Sequence, residues 1–84
     1  MAQEKEIGRI IHFFDKISVG IVELSSTLKK GDKIHIKGHT TDFVLDVDSI
    51  QIDKEEVEVA KAGEVVGVKF TEEAREGDKV YLVG

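Results

Sequence analysis

The three histidines and one nearby aspartate are the residues whose types could bind a metal. His35 and His39 lie four residues apart, Asp42 follows them, and His12 is distant in the chain. A metal site needs three or four converging ligands. On an extended strand, two residues four apart share a face but lie roughly 13 Å apart, so only a turn at Gly38 would bring the two histidines together. We therefore predict solvent-facing histidines, no metal site and no cofactor.

The carboxylates and hydroxyls give no stronger indication of catalysis. Asp53, Glu55, Glu56 and Glu58 form an acidic run, and Ser25 to Thr27 form a hydroxyl-rich run. Paired carboxylates act as acid and base only in a cleft that shifts their pKa values, and a hydroxyl nucleophile needs a neighbouring base. The phosphate-binding pattern Gly-x4-Gly-Lys-Ser/Thr does not occur in the sequence. We predict solvated loops, no catalytic residue, no nucleotide site and therefore no enzyme.

The basic residues of the first half are the candidate RNA-binding site. In a strand from Lys33 to Lys37, alternation places Lys33, His35 and Lys37 on one face, and a basic face can contact phosphates. The alternative is a solvated outer surface, since the net charge is −5 and no aromatic stacking platform accompanies the lysines. The complete candidate set is Arg9, Lys29, Lys30, Lys33, His35 and Lys37.

Repeated glycine turns must position these residues. Gly31-Asp32-Lys33-Ile34 recurs as Gly77-Asp78-Lys79-Val80, and Ala62-Gly63-Glu64-Val65 is a looser third copy. Glycine tolerates a positive φ, and an acidic residue after it suits a turn that opens a strand. Short strands separated by tight turns predict an all-β fold, a small closed antiparallel β-barrel of six or seven strands. We predict one domain over residues 1–84, with an ordered core from about residue 7 to 83.

Alternation also predicts which side chains fill the barrel. We expect Val19 and Ile21 to point inward, with a bulge beside Gly20, a strand bent at Asp48–Ser49 and one helical turn within residues 71–76. Ile11, Phe14, Val22 and Val44 are expected to point outward, where a contiguous apolar patch would favour a protein partner. The predicted core is Ile10, Val19, Ile21, Ile34, Ile36, Val47, Ile50, Val66, Val68 and Val80.

Composition sets the remaining expectations. The sequence contains no Cys, Trp, Pro or Asn and is rich in Lys and Glu, a pattern typical of thermophile proteins. The charged first six residues do not resemble a signal peptide, and no apolar run approaches the ~20 residues that span a bilayer. We predict a thermophilic source, a cytoplasmic location and no membrane partner.

Six motifs in order resemble domain 2 of the translational GTPases, the β-barrel of elongation factor Tu and its relatives. This resemblance implies a barrel of the translation-protein type that contacts RNA or the ribosome, here without the GTPase domain. The motifs are Gly8-Arg9-Ile10, Val19-Gly20-Ile21-Val22, Leu28-Lys29-Lys30-Gly31-Asp32-Lys33-Ile34, Val47-Asp48-Ser49-Ile50-Gln51, Ala60-Lys61-Ala62-Gly63-Glu64-Val65-Val66-Gly67-Val68 and Arg75-Glu76-Gly77-Asp78-Lys79-Val80.

A second family offers a similar barrel. The chain also resembles the C-terminal module of the collagenase-like peptidases, some members of which are linked to RNA modification. The leading hypothesis is a non-catalytic module, similar to translation-factor domain 2, that binds RNA or the translation machinery. The alternative is a protein-binding accessory subunit of a separately encoded enzyme.

Overall fold

The computed structural model describes residues 4–83, and these form ten strands. The described residues contain no helix, so the helical turn expected within residues 71–76 is absent. Alternating apolar residues and frequent turns account for the strand content. The strands are β1 (Glu4–Phe14), β2 (Val19–Leu24), β3 (Leu28–Lys29), β4 (Lys33–Lys37), β5 (Asp42–Asp46), β6 (Ile50–Ile52), β7 (Glu55–Val57), β8 (Val59–Ala60), β9 (Val65–Lys69) and β10 (Lys79–Val83).

Eight of the strands form one antiparallel sheet. Its order is β5-β4-β10-β1-β2-β9-β6-β7, and β3 pairs with β8 in a separate two-stranded sheet. The prediction of an all-β antiparallel fold is therefore confirmed. The larger sheet ends at β5 on one side and β7 on the other, so its hydrogen bonding does not close into a barrel.

The sheet is nevertheless strongly curled. Strands β5 and β6 are six positions apart in the sheet, yet only residues 47–49 join them. Four residue steps span at most about 14 Å, whereas six strand spacings in a flat sheet amount to about 29 Å. The predicted single strand bent at Asp48–Ser49 is wrong, because the chain leaves one end of the sheet there and joins the other.

Three turns of the same construction connect the strands. In each turn a glycine with positive φ precedes an acidic residue. These glycines are Gly31, Gly63 and Gly77, with φ of 96°, 90° and 91° respectively. The backbone N–H of the acidic residue donates to the carbonyl three residues earlier at 3.1 Å. The acidic side chain accepts from the N–H of that same earlier residue, at 2.7–2.9 Å. Positive φ at the third position is the geometry of a type II turn, and it confirms the predicted turn chemistry.

Each turn also pairs with one buried aliphatic residue elsewhere in the chain. The N–H of the turn glycine donates to the carbonyl of the aliphatic residue, and the N–H of the aliphatic residue donates to the carbonyl of the acidic turn residue. The three aliphatic residues are Val47, Leu24 and Ile10, each no more than 2% exposed. The turns are therefore anchored to the core, and buried backbone groups obtain their partners there.

Alternation predicts most of the core correctly. Of the ten predicted core residues, eight are no more than 1% exposed, but Val19 and Ile21 are only half-buried. The inward positions of β2 are instead Gly20, Val22 and Leu24, so the prediction that Val22 points outward is wrong. The physical reason is the ring of Phe70. Its Cζ lies 2.8 Å from where a Cβ on Gly20 would be, so the glycine occupies an inward position and leaves room for the ring.

The irregularities of the sheet lie in β1, not beside Gly20 as predicted. The pairing of β1 with β10 shifts between Glu6 and Gly8, and its pairing with β2 shifts between Ile10 and His12. Each shift adds one residue to β1, which bends a strand and increases its twist. Two such bulges in the longest strand help to curl the sheet.

Candidate functional site

Acidic side chains lie beside two of the predicted basic residues. The Arg9 guanidinium lies 3.2 Å from a carboxylate oxygen of Glu23, and the Lys30 ammonium lies 3.4 Å from Glu56. Both pairs are exposed, so each contributes little to stability. They do place a negative charge beside each cation, which lowers the local positive potential.

Strand β4 presents its polar face as predicted. Ile34 and Ile36 are completely buried, and Lys33 and Lys37 are exposed on the other face. Across the sheet, Lys33 lies opposite Asp46 and Lys37 lies opposite Asp42. The alternation is therefore right, but acidic residues on β5 accompany both lysines. Lys29 lies apart from them, on β3 in the smaller sheet. RNA contact by these residues stays a prediction.

His35 is the most constrained titratable residue on that face. Its side chain is 14% exposed, its Nδ1 lies 2.7 Å from an oxygen of Glu4, and its Nε2 contacts Asp42. Both partners are hydrogen-bond acceptors, so the protonated ring, which donates from both nitrogens, satisfies both. The hydrogen bond to Asp42, followed by the one to Glu4, raises the pKa of His35 above 6.5. The prediction of a solvent-facing histidine is wrong here, because Glu4 comes from a strand distant in sequence.

Metal-binding residues do not assemble. Within residues 4–83, no group of three or more His, Cys, Asp or Glu side chains could hold a metal ion. The acidic run at residues 53–58 forms a turn and strand β7. Asp53 and Lys54 of that turn both have positive φ, which fits a tight hairpin connection between β6 and β7.

The outer face of the sheet carries an apolar groove that sequence analysis did not predict. Its volume is about 460 Å³. Strand pairing places Phe14 opposite Val19 and Ile21 opposite Gly67, so β1, β2 and β9 each contribute to one surface. Gly67 forms the floor because it has no side chain. The apolar groove is lined by Phe14, Ile17, Val19, Ile21, Val65, Val66 and Gly67, together with the polar residues Gln51, Asp53 and Lys54.

Several groove residues are unusually exposed for apolar side chains. Ile17 is 60% exposed, Val65 45% and Phe14 44%. Large contiguous apolar patches on a protein surface typically mark sites of association. Of the four residues expected to point outward, Phe14 lies in the groove, whereas Ile11 and Val44 are exposed outside it and Val22 is in the core. The signal in the sequence was the apolar pair Val19 and Ile21, which was assigned to the wrong face.

Comparison with protein-family models finds no match. Curated proteins do resemble the chain, and these include a protease and a collagenase. An uncharacterized protease of Methanocaldococcus jannaschii is 52% identical over 79 residues, which are 93% of this chain and 19% of that protein. A collagenase of Porphyromonas gingivalis is 32% identical over 81 residues, which are 94% of this chain and 22% of that protein. The chain thus spans about a fifth of the length of the curated relatives it matches.

Solved structures show the same fold. Two crystal structures of the C-terminal domain of a Geobacillus thermoleovorans protein, named as a U32 peptidase, superimpose with TM-scores of 0.85 and 0.87. Sequence identity is 15% and 14%, and the alignments cover 90% and 93% of this chain and 96% and 91% of the solved domains. At this identity the likeness concerns the fold alone.

These relatives overturn the leading resemblance. They are named as a protease, a collagenase and a U32 peptidase, so similarity to domain 2 of the translational GTPases is wrong, as is the inferred RNA-binding translation module. The six motifs misled because they consist mainly of turn glycines and core aliphatic residues, which specify a fold and not a function. The names favour the second resemblance, to the collagenase-like peptidases. Among residues 4–83, no helix is long and apolar enough to cross a membrane.

Proposed function

We propose that this chain is a non-catalytic accessory domain that associates with the catalytic region of a collagenase-type protease. The observation that carries the proposal is the match to the M. jannaschii protease, which uses 93% of this chain but only 19% of that protein. The matched segment is thus a small part of a much larger relative. The proposal concerns the contact between this domain and the catalytic region, whether the two belong to one polypeptide or to two.

Two further observations support this function. The equivalent fold in the G. thermoleovorans protein was crystallised as a separate C-terminal domain, so a domain of this kind can fold apart from the rest of its protein. Within residues 4–83, three of the ion pairs, Arg9–Glu23, His12–Glu76 and Lys30–Glu56, lie on the exposed surface and not in an enclosed cleft in which a nucleophile and a base could meet. A site for general acid–base chemistry needs such a cleft.

The test uses the M. jannaschii relative from which the matching segment has been removed. The 84-residue chain is titrated into that protein by calorimetry, and hydrolysis of gelatin and casein is measured for each component and for the mixture. We expect a complex, with hydrolysis by the relative and none by the chain alone. Hydrolysis by the purified chain would contradict the non-catalytic role.

A chimaera provides a second measurement that does not depend on correct folding of the shortened relative. In it, this chain replaces the matching segment within the full-length protein. Hydrogen exchange of the chain is then compared between the chimaera and the isolated state, since association protects amides at a contact. Identical exchange in both states, together with no binding in the titration, would reject the proposed function.

A further inference from the structure

Gly67 is a strand glycine that the fold itself does not require. The other two strand glycines have internal reasons: a Cβ on Gly8 would lie 2.7 Å from the carbonyl oxygen of Glu23, and one on Gly20 would lie 2.8 Å from the ring of Phe70. A Cβ on Gly67 would make only ordinary contacts, at 3.5 Å to Val19 and 3.6 Å to Ile21. Its φ is outside the left-handed region. Glycine weakens a strand interior, and its use there often marks a bulge, a tight bend or the close approach of a ligand or another backbone. The regular pairing of β9 with β2 shows no bulge at Gly67.

The space above Gly67 is part of the apolar groove. Ile21 lies directly opposite Gly67 in the neighbouring strand, and Val19 contacts the same space from the next outward position. A side chain on Gly67 would occupy this space. The absence of one leaves a depression between the aliphatic side chains of β2 and Gln51 of β6, which has room for an apolar side chain from a partner.

Ile17 extends the groove beyond the sheet. It lies in the turn between β1 and β2, next to Ser18, whose φ of 55° is left-handed. Turns normally carry polar residues, and an isoleucine that is 60% exposed there gains only part of the free energy that full burial would supply. Covering Ile17 and Phe14 together would remove two of the most exposed apolar side chains of this face from water.

We propose that the apolar groove receives apolar side chains of the collagenase-type catalytic region, with one of them seated against Gly67. This inference rests on the proposed function and names the surface involved. Some four-fifths of each curated relative lies outside the matched segment, which provides a partner of the required size. A second copy is a poorer occupant, because two chains of net charge −5 repel each other. Asp53 and Lys54 at the groove's edge supply the polar rim typical of interfaces.

Two groove substitutions and one matched control test the proposal in the titration described above. Gly67→Val fills the floor, and Val65→Lys places a charge on the wall. Val59→Lys is the control, since Val59 is 46% exposed outside the groove and Val65 is 45% exposed within it. We expect both groove variants to weaken binding by about tenfold or more, and the control to bind like the original chain.

Stability measurements separate lost binding from lost folding. Replacing a strand glycine by valine raises β propensity, so the isolated Gly67→Val chain is expected to unfold at the same or higher urea concentration. A variant that is equally stable but binds more weakly supports the groove as the contact.

The possible failures are distinguishable. No binding by the original chain, and no protection in the chimaera, would reject the proposed function together with this inference. Binding that the groove variants leave unchanged, or that only Val59→Lys weakens, would reject the groove alone. Light scattering that shows the chain to be a dimer, dissociated by Gly67→Val, would assign the groove to a second copy and overturn the proposal.

Discussion

His35 joins three strands through its two ring nitrogens. Glu4 lies on β1 and Asp42 on β5, whereas the histidine lies on β4. Its cross-strand neighbours are Val44 and Tyr81, the latter with its ring centroid 6.4 Å away. The histidine therefore connects the first described strand to the edge of the sheet, but only the imidazolium makes both hydrogen bonds.

The free energy of unfolding is expected to depend on pH through His35 and Asp42. The pKa of His35 is raised above 6.5 by its bonds to Asp42 and Glu4, so its contribution is full below 6.5 and disappears as pH rises through the raised value. The pKa of Asp42 is lowered below 3.8 by the bond to His35, so its contribution disappears as pH falls through the lowered value. Stability should be greatest between these two pKa ranges.

Urea unfolding across this range checks the expectation. The original chain should lose stability as the pH rises from 6.5 through the raised pKa of His35, and His35→Gln should remove most of that loss. His12→Gln is the matched control, because His12 pairs with Glu76 at 2.9 Å but its side chain is 49% exposed. An unchanged pH profile in His35→Gln would contradict the assignment. So would an NMR titration in which the midpoint of the His35 ring lies below pH 6.5.

Replacing a turn glycine with alanine, which adds one methyl group, should lower the stability of the domain. Gly77 has φ of 91° and its N–H donates to Ile10, so an alanine there would be held in a left-handed conformation. We expect Gly77→Ala to destabilise the domain by about 1–2 kcal/mol, whereas Gly67→Ala, in an extended strand, should be neutral or stabilising. Urea midpoints measure both, and an equal loss at the two positions would show that backbone conformation is not the cause.

At the scale of the element, the face assignment of β2 has the largest consequences. Val22 is completely buried, whereas Ile21 of the same strand faces the groove. The strand therefore has two apolar faces, one packed in the core and one open to solvent. That arrangement is typical of an element placed between a core and a partner.

Alanine substitutions on the two faces of β2 should lower the free energy of unfolding by different amounts. Val22→Ala removes fully buried methyl groups and should destabilise the domain by roughly 1.5–3 kcal/mol. Ile21→Ala removes partly exposed atoms and should cost less than about 1 kcal/mol in the isolated chain. Chemical unfolding of the two variants measures the difference, and a greater loss for Ile21→Ala would reverse the assigned faces.

At the scale of the whole molecule, curling allows a small chain to bury a continuous core. Among residues 4–83, seventeen apolar residues form that core, including Leu28 from the small sheet and Ala74 from the segment before the third turn. A domain of this size has limited area to bury, so contacts from outside the main sheet matter. The expectations of a thermophilic source and a cytoplasmic location stay predictions.

Thermal unfolding tests the compositional expectation directly. A chain without Cys or Asn and rich in Lys and Glu should unfold in one transition above about 65 °C, the upper end for mesophile domains. Circular dichroism should show a β spectrum before the transition. A midpoint well below that temperature would contradict the inference from composition.

Local patterns in the sequence determined the fold class, the three glycine turns and the alternation of β4 and β5. Each depends on residues close together in the chain, where φ preferences and the two-residue period of a strand act directly. Tertiary structure alone decided the inward face of β2, because the ring of Phe70 lies against Gly20. It also decided the partnership of His35 with Glu4, 31 residues away, and the groove above Gly67. These features arise where distant strands meet, and sequence spacing carries no record of those contacts.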